Sequence, residues 1–96
     1  MSVIRRIGGG HGISKVKIIH HAGTEVETVV ETEALIQDGS GFFEMETPIH
    51  EGDIVEVPDP RKGPDGTERR LAKQLKVNSF GQPGMRLIQV KWGPAP

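Results

Sequence analysis

The chain predicts an all-β fold, a small single-domain β-barrel of about six strands with a long polar loop and a flexible N-terminal arm. Three observations lead there. Turn-forming residues cluster roughly every ten positions, at 8–12, 22–23, 38–41, 48–52, 58–66 and 78–84, with short β-branched runs between them. No stretch holds apolar residues at i, i+3, i+4 and i+7 for long enough to make a helix. The segment 42–60, FFEMETPIHEGDIVEVPDP, reads as strand, sharp turn, strand and proline-bracketed loop.

Residues 1–12 are expected to form the arm, with Gly8-Gly9-Gly10-His11-Gly12 as its joint and Arg5 and Arg6 as candidate contacts. The barrel is expected over 13–92. The tail 93–96, Gly93-Pro94-Ala95-Pro96, is not expected to continue a sheet. Residues 13–20 are expected to pair with 24–36 through a three-residue loop, His21-Ala22-Gly23, in which Gly23 supplies a left-handed conformation. That register sets Ile18 against Val26, Val16 against Thr28 and Lys17 against Glu27, whereas a two-residue loop would oppose Ile18 to Glu27. Val26, Thr28, Val30, Thr32, Ala34 and Ile36 then share one face of the second strand. Glu25, Glu27, Glu31 and Glu33 share the other, interrupted by Val29 and Leu35. The acidic row is either a solvated outer face or a stripe turned to a basic neighbour or a DNA-conducting lumen.

Further along, Phe43, Met45, Val55 and Val57 are expected to face the core from two adjoining strands, with 48–53 as their connection and Glu51-Gly52-Asp53 reversing the chain. Pro58-Asp59-Pro60 ends the second of these strands and launches the polar loop 61–70, RKGPDGTERR. Pro64-Asp65-Gly66 is a turn signal within it, and Arg61, Lys62, Arg69 and Arg70 make its flanks basic. Residues 68–77 are the best helix candidate, yet alternation with Leu71, Leu75 and Val77 on one face favours a strand. In the last run Ile88, Val90 and Trp92 are expected to point inward.

Composition narrows the function classes. Ninety-six residues make one small domain, which buries about 60–65% of its unfolded surface and has a thin core. The chain has no cysteine, hence no disulfide or thiolate metal site, and support from neighbouring subunits is expected. A net charge of −1 draws the chain to neither nucleic acid nor membrane. The sequence has neither a signal-peptide pattern nor an apolar run of about 18 residues, so a soluble chain made in a cytosol is expected. Phe42, Phe43, Phe80 and Trp92 are its only aromatic residues besides histidine, too few to suggest a base-stacking platform.

No catalytic set emerges. Ser2, Ser14, Ser40 and Ser79 have no nucleophile-elbow context. Glu31/Glu33 and Glu44/Glu46 follow strand alternation, and Asp53 is expected to bond backbone within its turn. His11, His20, His21 and His50 lack the spacing of recognisable zinc motifs, and adjacent His20 and His21 face opposite ways on a strand. Gly8–Gly12 lacks the Lys-Ser/Thr of a phosphate loop. Neither enzyme activity, a metal nor a cofactor is expected. A nucleic-acid-binding barrel is the alternative, with the 61–70 loop on phosphates; the glutamate-rich strand and neutral balance weigh against it.

A pattern covering roughly residues 13–92 remains: a long acidic hairpin strand, GFFEMETPIHEGDIVEVPDP, a polar loop, a basic strand and a short final strand ending IQVKW. It resembles the small β-barrel head-to-tail connector proteins of tailed bacteriophages, the stopper or head-completion class. The resemblance implies a non-enzymatic virion protein assembled in the bacterial host cytoplasm as a homo-oligomeric ring, usually of twelve copies, below the portal and adaptor. Such a ring helps retain packaged DNA, which passes nearby without sequence-specific binding, and docks the tail. No membrane contact is implied. Arg5, Arg6 and the 61–70 loop are its candidate contact elements here. Opposite-charge patches, Glu25–Glu33 against Arg61–Lys73, would suit neighbours in a heterologous ring.

Overall fold

The computed structural model describes residues 13–79 and 85–95. Among these lie six strands, β1 (Ile13–His20), β2 (Thr28–Ile36), β3 (Ser40–Glu44), β4 (Ile54–Pro58), β5 (Thr67–Ser79) and β6 (Arg86–Pro94), with one short 3-10 turn at Pro60–Lys62. The strands close into a barrel in the order β1-β2-β3-β6-β5-β4, and every adjacent pair is antiparallel. Two three-strand meanders are thus sealed along β3/β6 and β1/β4; among the described residues, 28–32 of β2 pair only with β1 and 74–79 of β5 only with β6.

Alternation explains the interior. Val16 and Ile18 of β1, Ala34 of β2, Phe43 of β3, Val55 and Val57 of β4, Ala72 of β5 and Val90 of β6 form one buried cluster. Ile88, Leu75 and Trp92 pack against it. The inward assignments of Phe43, Val55, Val57, Ile88, Val90 and Trp92 therefore hold. The 45–53 connection passes over one end of the barrel from β3 to β4, and its Ile49 belongs to the core cluster. At the other end Trp92 packs edge-on against Phe43 with centroids 6.3 Å apart, donates Nε1–H to the Gln37 carbonyl and lies beneath the Arg70 guanidinium.

Five expectations are corrected. The first hairpin closes through residues 21–27, so Ile18 faces Val30, Val16 faces Thr32 and Lys17 faces Glu31. The longer loop satisfies its own backbone. Thr24 donates N–H and Oγ1–H to the His21 carbonyl, Glu27 N–H reaches Thr24, and the Glu27 carboxylate accepts Gly23 N–H. The four-residue shift is even, so Val30, Thr32, Ala34 and Ile36 keep their face, while Val26 is left 64% exposed. Met45 is 39% exposed because β3 stops at Glu44, whose carbonyl accepts Thr47 N–H in a turn.

The other three lie in β5 and β6. A bulge between Ala72 and Gln74 switches the alternation of β5. Ala72 therefore points inward and Leu71 does not share a face with Leu75; Val77 is 47% exposed. Residues 67–70 belong to β5, so the loop ends at Gly66 and Arg69 and Arg70 are strand residues. β6 runs on through Gly93 and Pro94, opposite Leu71 and Arg70. Pairing with β3 ends at Lys91, and a strand with a single partner tolerates proline. The expected arm at 1–12, with Arg5, Arg6 and His11, lies outside the described residues.

Candidate functional site

His20 ends β1, and Asp53 immediately precedes β4. The β1/β4 register, Lys17 to Glu56, Ile18 to Val55 and Ile19 to Ile54, brings His20 beside Asp53 when extended by one residue. Their side chains meet, with His20 Nδ1 2.9 Å from Asp53 Oδ2, and are only 14% and 10% exposed. The turn before β4 adds His50, whose Nδ1 stands 3.8 Å from the same oxygen while its ring is 76% exposed. His20, His21, Ala22, His50, Glu51, Gly52, Asp53, Ile54 and Leu71 line a surface cleft of about 440 Å³.

This turn is firmly held. Asp53 N–H donates to the His50 carbonyl, Gly52 N–H to Ala72 and Ala72 N–H to Asp53. Asp53 Oδ2 accepts His50 N–H at 2.8 Å, the backbone role expected of it. Gly52 sits at φ +96, where only glycine is unstrained. His21 follows at φ +53 and starts the hairpin loop. His20, His50 and Asp53 each bring one possible ligand atom within 4.8 Å of the others. Their separation in sequence concealed this grouping. The one signal available was that pairing β1 with β4 would juxtapose His20 and Asp53.

The charged candidates are distributed differently. Across the outer surface of β2, β1, β4 and β5 runs a row of alternating sign, Glu31, Lys17, Glu56 and Arg69; the Arg69 and Glu56 side chains are 3.3 Å apart. Glu33 stands opposite Lys15. Beside the charged row runs an apolar one, Val29, Ile19, Ile54 and Leu71, which accounts for the interruption at Val29. Glu25 and Glu27 lie in the exposed hairpin loop. Arg70 turns to the opposite face of β5 from Arg69, bonding the Gln37 carbonyl and the Glu68 carboxylate.

Arg61 pairs with Asp59 at 3.1 Å, and Lys62 Nζ reaches the Thr67 carbonyl. Asp59 also caps the 3-10 turn by accepting Arg61 N–H. The side-chain hydrogen bond from Arg61 holds the Asp59 carboxyl below the usual carboxylate range, against the opposing effect of burial. The same bond holds Arg61 above its ordinary value. Exposed Lys73, Lys76 and Lys91 have no ion-pair partner among the described residues.

No protein-family model matches this chain, and no characterised protein or solved structure shows significant similarity to it.

Proposed function

We propose that this chain is a structural protein of the head–tail connector of a tailed bacteriophage, assembled in the bacterial cytoplasm as a ring below the portal and adaptor. In that position it helps retain packaged DNA and offers a docking face to the tail. The observation that carries this reading is the placement of charge around a closed barrel. In the order β1-β2-β3-β6-β5-β4, β2 and β5 are three strands apart in either direction and so lie on opposite sides. Acidic Glu31 of β2, with Glu25 and Glu27 at the tip of its hairpin, therefore opposes Arg69, Lys73 and Lys76 of β5.

A heterologous ring needs two different, complementary surfaces on opposite sides of each subunit, and this arrangement supplies them. The intrachain row through Lys17 and Glu56 neutralises part of each side. The surplus is Glu25 and Glu27 on one side and Lys73 and Lys76 on the other. Assembly in such a ring proceeds through these charged side chains and the loops beside them. The resemblance of 13–92 to small-barrel connectors points the same way.

Lys73, Lys76 and Lys91 also favour a second reading, a stand-alone module binding nucleic acid. One pair of assays separates them. The connector binds immobilised portal–adaptor complexes from its own genome, and the isolated chain elutes from DNA without salt-dependent retention. A log–log salt slope of several units, at about −0.9 per phosphate contact, together with no portal–adaptor capture, overturns the connector in favour of the module.

A further inference from the structure

We infer that His20, His50 and Asp53 form a three-ligand site for a divalent first-row transition-metal ion such as Zn²⁺. Two imidazoles and one carboxylate, with coordination positions left for water, suit an ion that prefers nitrogen over the all-oxygen shells of Mg²⁺ and Ca²⁺. The distances are close to what such an ion requires. Ligand atoms about 2.0–2.1 Å from a tetrahedral centre stand roughly 3.3–3.4 Å from one another. The two contacts at Asp53 Oδ2, 2.9 Å from His20 and 3.8 Å from His50, bracket that value, and all three ligand atoms lie within 4.8 Å.

The site is partly built before any ion arrives. Asp53 is held through its backbone to Ala72 and His50, and its carboxylate through His50 N–H. The same oxygen keeps lone-pair capacity for an ion. His20 is nearly buried at the end of a paired strand. The His50 ring is exposed, and rotating its side chain closes the remaining gap. The ion takes the place of the ring proton that His20 Nδ1 shares with Asp53 Oδ2, and His20 carries its proton on Nε2 instead. Glu51, on the same cleft, adds negative charge nearby. The ion would fasten β1 to the turn before β4, the seam that closes the barrel.

The test uses the full chain without a histidine tag. ZnCl₂ is titrated calorimetrically, and CoCl₂ is followed by the visible d–d absorption of tetrahedral Co²⁺. The expected result is saturable binding of one ion per chain. His50→Ala, an exposed change that leaves the metal-free melting temperature unaltered, weakens binding by roughly 100-fold or more, beyond the loss typical of removing an outer-shell partner. His20→Gln does the same, and His21→Ala binds as wild type. Absence of saturable one-to-one binding overturns the inference, as does wild-type affinity in His50→Ala. Should His20→Gln fail to fold, His50→Ala decides alone.

Discussion

A methyl group on Gly41 would stand 2.5 Å from Cζ2 of Trp92. The indole cannot easily yield, because Phe43, Arg70 and the Gln37 carbonyl hold its edge, face and nitrogen. Gly41→Ala is therefore expected to lower unfolding stability by about 1–3 kcal/mol, the usual cost of overpacking, as read by urea denaturation. At Asp59 the effect is one of charge. Its folded-state pKa lies below the unfolded value. The ionised carboxylate therefore stabilises the fold above the ordinary carboxylate range, and that contribution disappears as pH falls through the depressed value. Asn retains the capping geometry. Asp59→Asn is thus expected to be less stable than wild type near neutrality, with the gap closing below roughly pH 4; urea midpoints across that range check it. A gap independent of pH would assign Asp59 a purely steric role.

At the scale of elements, the first hairpin makes the sharpest demand. If β2 starts at Thr28, Val26 lies in solvent, and Val26→Ser should change stability by no more than about 0.5 kcal/mol, as surface substitutions generally do. Under the tighter three-residue loop Val26 would pack against Ile18, and the same change would cost several times more. Thermal or chemical denaturation distinguishes the two. This hairpin also shows what was legible in the sequence. Period-two alternation assigned the faces of Val30, Ala34, Phe43, Val55, Val57 and Val90, and Gly/Pro punctuation located the turn at Gly52 and the end of β4 at Pro58. Loop length was not legible, since both registers match apolar with apolar and Lys17 with a glutamate. Nor was the bulge after Ala72, which leaves Leu71 and Leu75 in what reads as one alternating run. The His20–His50–Asp53 cluster depends on the β1/β4 seam, a pairing between segments distant in the chain that no local spacing reveals.

At the scale of the whole molecule, the closed strand order sets β2 and β5 on opposite sides of the barrel. The surface presents an acidic side on β2, a basic side on β5 and two loop-bearing ends. Arg70 is tied to Trp92, Gln37 and Glu68, so reversing its charge would disturb the barrel itself. Lys73 and Lys76 are exposed and carry no such duty. Under the connector proposal, Lys73→Glu with Lys76→Glu leaves the melting temperature near that of wild type while abolishing the proposed ring by sedimentation velocity, and restored assembly with Glu25→Lys and Glu27→Lys would identify the opposing surface. Unchanged assembly in the double reversal would remove the charge-pairing account of the ring.

The most direct measurement is a cryo-electron microscopy reconstruction of the neck of tailed particles from the genome that encodes this chain. The connector account predicts a ring of barrel-sized densities below the adaptor, with β2 of each copy against β5 of the next. A neck fully accounted for by other proteins, with this barrel nowhere in it, would contradict that account.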